Sequence, residues 1–151
     1  MGNICRSPTA EGVFKRKVAE SGQMDRITSD SAGTHDYHVG ASPDSRAQQA
    51  ALKRGYDLSG LRGRQVGLKD FHEFDYILAM DEANLSYLYQ ICPLHQRHKL
   101  KLFMDFSKRF ARREVPDPYH GSGQGFERVL DMVEDAAAGL LKKIQENTPE
   151  N

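Results

Sequence analysis

The sequence predicts an α/β domain, a doubly wound parallel sheet flanked by helices, with its first strand missing. Three observations lead there. Segments of strand character alternate with segments of helical period. One of them, Phe74 to Met80, is a nearly continuous apolar run bounded by charge, as suits a strand buried on both faces of a parallel sheet. Finally, a turn suited to an oxyanion runs into a helix from residue 1, with no strand ahead of it where phosphate-binding doubly wound folds have one. The 151 residues, 38% hydrophobic, suffice for one core and are read as a single domain, residues 146–151 being a polar tail.

The elements follow in order. Residues Ser7 to Glu20 carry a helix start, with Ser7 as N-cap and Pro8 first in the helix, and Ala10, Val13, Phe14 and Val18 on one face. Gly22 is placed to end it. A short strand is expected over Ile27 to Ala32, then a polar loop from Gly33 to Gly40. Ser42-Pro43-Asp44 repeats the cap-and-proline start for a helix reaching Arg54 and closed by Gly55, with small Ala47, Ala50 and Ala51 suited to close packing. Beyond the Phe74 to Met80 strand, Asp81 to Tyr89 returns to helical spacing, and Lys99 to Phe103 reads as another strand. Asp105 to Gly125 is rich in loop residues. The clearest helix is the last, where Phe126, Val129, Leu130, Val133, Ala137, Leu140, Leu141 and Ile144 keep the 3.6-residue period.

Composition excludes several function classes. Lysine plus arginine number 21 against 21 acids, so no global basic field favours nucleic acid or anionic lipid, and any anion specificity must be local. The run Lys108 to Arg113 reads as a solvated face. Two cysteines, Cys5 and Cys92, are too few for a disulfide framework and lack zinc spacing, which points to the cytosol. His35, His38, His72, His95 and His98 share no ligand spacing, so no metal is expected. No secretory leader or membrane span is expected. Met1-Gly2 with Ser7 fits a loose myristoylation pattern, but the same residues have a better reading.

That reading is Gly2-Asn3-Ile4-Cys5-Arg6-Ser7-Pro8. Gly2 and Asn3 tolerate positive φ, which lets successive amides turn inward as a nest, and the helix dipole adds positive potential. Arg6 at the rim can grip two phosphate oxygens through its planar fork. On these residues alone, an ordinary capped helix with a surface arginine fits as well. In the second constellation, Val115-Pro116-Asp117-Pro118-Tyr119-His120, two prolines stiffen a loop around one carboxylate. Asp117 is either a general acid so presented or a turn aspartate capping its own backbone.

Taken with Ser31-Ala32-Gly33-Thr34, Asp75 to Asp81 and Asp117-Pro118-Tyr119-His120-Gly121, the first segment closely resembles the low-molecular-weight tyrosine phosphatases, in order along nearly the whole chain. The resemblance implies a phosphate-binding loop of Gly2, Asn3, Ile4, Cys5, Arg6 and Ser7, with phosphate or sulfate as ligand and no cofactor. Arg6 matches the signature arginine that follows the nucleophilic cysteine by six positions, which places the nucleophile immediately ahead of Met1. Met1 then looks like an internal methionine, and Cys5 matches the loop's second cysteine, which in relatives can pair reversibly with the nucleophile.

By the same resemblance Asp117 protonates the leaving phenolate and then activates water. Tyr37, Tyr119 and His120 would line the substrate cleft, His120 standing where relatives often have tyrosine. Asn3, Ser7 and Ser31 would support the loop, although a histidine often found near Gly60 or Leu61 is missing. The expected activity is hydrolysis of phosphotyrosine proteins or small aryl phosphates through a phosphocysteine, with the chain from Met1 lacking the nucleophile and inactive. A non-catalytic phosphotyrosine-binding module and an arsenate reductase are the alternatives. The second would need a further cysteine pair late in the chain, where only Cys92 stands.

Overall fold

In the computed structural model, residues 5–36, 38–118 and 123–147 are described. Helix α1 spans Arg6–Glu20, α2 Ser45–Lys53, α3 Leu68–Glu73, α4 Glu82–Ile91 and α5 Gly123–Asn147; strands β1 (Ile77–Ala79) and β2 (Leu100–Leu102) complete the regular elements, with 3-10 turns at Leu94–Lys99 and Phe103–Phe106.

The strands pair in parallel, Ile77 with Leu100, Leu78 with Lys101 and Ala79 with Leu102. Alternation of side chains along β1 sets the layers. Tyr76, Leu78 and Met80 face a core built from Val13, Phe14 and Val18 of α1 and Val129, Leu130, Val133 and Ala137 of α5. Ile77 and Ala79 face a second cluster of Phe71, Leu88, Cys92, Leu100 and Leu102. The parallel sheet flanked by helices is therefore the architecture expected. Among the described residues no helix is long and apolar enough to cross a membrane.

Local signals hold for most helices. Gly22 and Gly55 leave α1 and α2 with φ of 75° and 90°, the left-handed turn that glycine adopts without steric cost. Asp44 caps α2 by accepting from the amides of Arg46 and Ala47. Helix α1, however, starts two residues early. Cys5 rather than Ser7 is its N-cap, and Pro8 sits third in the helix, still within the first turn where its missing N–H is not needed.

The strands are shorter than expected. Residues 27–32 form no ladder, and only Gly33 makes a parallel bridge, to Gln65. The expected strand at Phe74 to Met80 contracts to three residues, with Ile77 and Leu78 half-buried rather than buried. One cause covers both corrections. Residues 26–34 and 75–80 line a single cavity of about 710 Å³, roofed by Ala10, Phe14, Leu140 and Ile144 from one helix layer and by Asn84 and Leu88 from the other. Strand propensity needs a partner to become a ladder, and these two segments face a slot instead of each other.

Candidate active site

Cys5, Arg6, Ser7 and Asp117 also line that slot. Chain entry into α1 places the first three. The carbonyl of Cys5 accepts from the Thr9 amide at 3.2 Å and from the Thr9 hydroxyl at 2.6 Å, so the first turn is locked by its own residues.

Arg6 is 6% exposed, not a rim arginine in solvent. Its Nη1 donates to Asp81 Oδ2 at 2.7 Å and to the Val115 carbonyl at 2.8 Å. Asp81 is the N-cap of α4, its carboxylate accepting from the Asn84 amide at 2.7 Å. It also holds Arg6, a pairing 75 residues apart. Burial opposes ionisation of Asp81, but the Asn84 amide and Arg6 outweigh it and keep the carboxyl below the usual carboxylate range.

The segment before Asp117 is anchored by its neighbour two residues back. Val115 is fully buried, its amide donates to the Met80 carbonyl at 2.8 Å, and its carbonyl receives Arg6. Arg6 thus touches the end of β1 through Asp81 and the Asp117 loop through Val115.

Of the loop-support residues, Ser31 donates from Oγ to Glu11 Oε1 at 2.6 Å. Glu11, 7% exposed, also pairs with Lys15, so the segment expected as a strand is tied near its end to α1. Burial first, then the negative charges of Asp44 and Asp117, partly countered by Arg46, push the Cys5 thiol up to about 12. A thiol so placed stays protonated at neutral pH and is a poor nucleophile. Gly2, Asn3, Ile4, Tyr37, Tyr119 and His120 lie outside the described residues. Among the described residues, no three histidine, cysteine or acidic side chains are placed to share a metal ion.

Sequence reasoning missed three contributors. The Asp81 partnership with Arg6 and the Val115 backbone clamp are long-range contacts that leave no local pattern. Thr9 is buried at 3% exposure and could have been suspected from its spacing, since a threonine four residues on can return its hydroxyl to the carbonyl at the helix start.

With this geometry in hand, the relatives can be placed. Residues 1–150 match the family described as low molecular weight phosphotyrosine protein phosphatase. A putative low molecular weight protein-tyrosine-phosphatase of Synechocystis is 47% identical over 145 residues, covering 95% of this chain and 92% of its own. A protein tyrosine phosphatase of Entamoeba histolytica, solved with Hepes in its active site, superposes with a TM-score of 0.94 at 42% identity, over 97% of this chain and 93% of its own. Wzb of Vibrio vulnificus, solved in complex with benzylphosphonate, gives a TM-score of 0.81 at 29% identity, over 95% and 93%. The chain belongs to the low-molecular-weight phosphotyrosine protein phosphatase family.

Proposed function

We propose that this chain supplies the phosphate-binding arginine and the general acid of a phosphotyrosine phosphatase that works through a phosphocysteine. The observation that carries this is the double attachment of Arg6, to Asp81 and to the Val115 carbonyl, beside the loop of Asp117. This supports the reading because Arg6 and the proposed acid then line one cavity in one frame.

In the proposed reaction a thiolate attacks phosphorus and the bond to the phenolic oxygen breaks. Arg6 and the loop amides meet the charge on the equatorial oxygens, and Asp117 gives its proton to the leaving oxygen. Asp117 then takes a proton from the water that attacks phosphorus, and the phosphorus–sulfur bond breaks to release phosphate and the thiolate. No metal or organic cofactor enters these steps. The family resemblance assigns the nucleophile to a cysteine six positions ahead of the arginine, a place Cys5 does not occupy, and Cys5 is a buried, protonated thiol. Residues 1–151 alone then have negligible turnover.

Substrates are phosphotyrosine proteins or small aryl phosphates. The benzylphosphonate bound by the Vibrio relative supports this class, because it presents an aromatic ring one atom removed from a tetrahedral phosphorus. Free, buried Cys5 and Cys92 fit a reducing cytosol.

The test is hydrolysis of p-nitrophenyl phosphate by the chain extended ahead of Met1 with an apolar strand ending in Val-Cys. Activity that is abolished by Arg6→Ala, and slowed ~10²- to 10⁴-fold by Asp117→Ala as for a lost general acid, is the expected result. Full activity in the Asp117→Ala protein would remove the acid assignment.

A further inference from the structure

Beyond Arg6, the Asp117 loop is fastened to the start of α4 by a clasp that the chemistry itself does not use. Helix α4 offers orphan amides at its N-terminus. Asp81 satisfies that of Asn84. The amide of Glu82 is taken by a side chain from 32 residues away, Glu114, whose Oε2 accepts it at 2.8 Å. The adjacent Arg113 reaches the other end of Glu82, with Nη1 3.0 Å from its Oε1. Glu82 is therefore held by its main chain and by its side chain at once. Val115 follows with its amide on the Met80 carbonyl, so residues 113–115 dock on residues 80–82.

A carboxylate at a helix N-terminus makes a charge-assisted bond in a favourable dipole field, and Glu114 has it three residues before Asp117. Prolines 116 and 118 flank the acid and restrict φ on both sides. Orientation set at 114 and 115 is thereby passed to 117 with little slack. We infer that Glu114 is a positioning residue for the general acid, holding the Asp117 loop against the N-terminus of α4. The inference rests on the reading of Asp117 as the acid.

Two readouts test it. In the chain carrying the Val-Cys strand, kcat/KM covers the step in which the leaving oxygen departs, and a positioned acid matters most when that oxygen leaves poorly. Glu114→Ala is expected to lower kcat/KM for phenyl phosphate by between ~3-fold, the worth of one helix-terminal carboxylate, and ~10²-fold, the effect of a misplaced catalytic group. For p-nitrophenyl phosphate, whose leaving group needs less help, the loss is smaller. Glu114→Gln, which keeps an oxygen to accept the Glu82 amide, retains the parent values.

Asp117→Ala is the control and has the steeper leaving-group dependence. If that dependence is absent from Asp117→Ala, the acid assignment fails and the inference with it. If it is present there but Glu114→Ala lowers both substrates equally or neither, the role of Glu114 alone is overturned. Amide exchange at Val115 decides independently of turnover: it is faster in Glu114→Ala and unchanged in Glu114→Gln, and equal exchange in all three proteins refutes the clasp.

Discussion

Arg6 and Asp81 form a largely buried ion pair, Nη1 to Oδ2 at 2.7 Å, with the two side chains 6% and 21% exposed. Such a pair contributes little net stability compared with apolar residues in its place, yet losing one partner is severe, because the other charge is left buried and alone. Here that charge is the arginine assigned to phosphate. Asp81→Ala is expected to destabilise the fold by ~3 to 5 kcal/mol, and Asp81→Asn by less, since its amide oxygen can still accept from Asn84. Urea midpoints of the three proteins, each carrying the apolar strand ahead of Met1, measure this. A midpoint for Asp81→Ala within error of the parent would mean that Arg6 is held by Val115 alone.

Acid should weaken the protein through a small set of carboxylates. Asp70 and Asp135, like Asp81, are held below the usual range although burial opposes it. Arg64 and the Gly67 amide act on Asp70, and Ser107 with the amides of Arg109 and Lys108 acts on Asp135. For a lowered folded-state pKa, the unfolded chain binds more protons as pH falls past ~4. The stabilisation is therefore complete above that pH and disappears as pH drops through the lowered values. Asp70→Asn should flatten the stability profile below pH ~4 and leave its slope between pH 6 and 8 unchanged. An altered slope near neutrality would point to a different titrating group.

Much of this was legible in the chain because the signals are local. Asp44 caps α2, Gly22 and Gly55 end their helices, and the apolar stripe of α5 runs along the face that packs on α1. Helix α3 was not legible: its six residues span fewer than two turns, and Leu68 with Phe71 is too little to define a period. The strand expected at 27–32 failed for the opposite reason, since residue type shows fitness for a strand while the ladder depends on a neighbour. Arg6 and Asp117 stand out in short motifs, whereas Asp81, Val115 and Glu114 make contacts across 32 to 109 residues of chain. No spacing rule reaches that far.

Cys5 should be chemically quiet. Burial, reinforced by Asp44 and Asp117, favours its protonated form far above neutral pH. Residues 1–151 are expected to give no turnover of p-nitrophenyl phosphate at pH 6 to 8, and Cys5→Ser to change nothing in that baseline. Slow alkylation by iodoacetamide, compared with an unfolded control, is the matching measurement. Turnover in the chain as it stands that is lost on Cys5→Ser would identify Cys5 as a nucleophile after all.

The cavity between residues 26–34 and 75–80 leads to the last prediction. Protein interiors hold few voids larger than a water molecule, and this one measures about 710 Å³ between the two helix layers. A slot left unfilled forfeits the packing contacts that its apolar walls would make in a filled interior. The whole stability of a domain is ~5 to 15 kcal/mol. Water entering the polar end lowers the penalty, but the apolar walls at Phe14, Leu78 and Leu140 gain nothing from it. Backbone groups along both walls add ~1 to 3 kcal/mol for each one left buried and unbonded. An extended apolar segment added ahead of Met1 would fill this slot and pair with both walls. Residues 1–151 alone should therefore melt at low temperature with a broad transition, or associate through the open edges. The same residues with an apolar strand ahead of Met1 should melt cooperatively as a monomer. Thermal melting and sedimentation of the two polypeptides side by side decide the matter. Equal melting temperatures for two monomers would show that the slot needs no added strand.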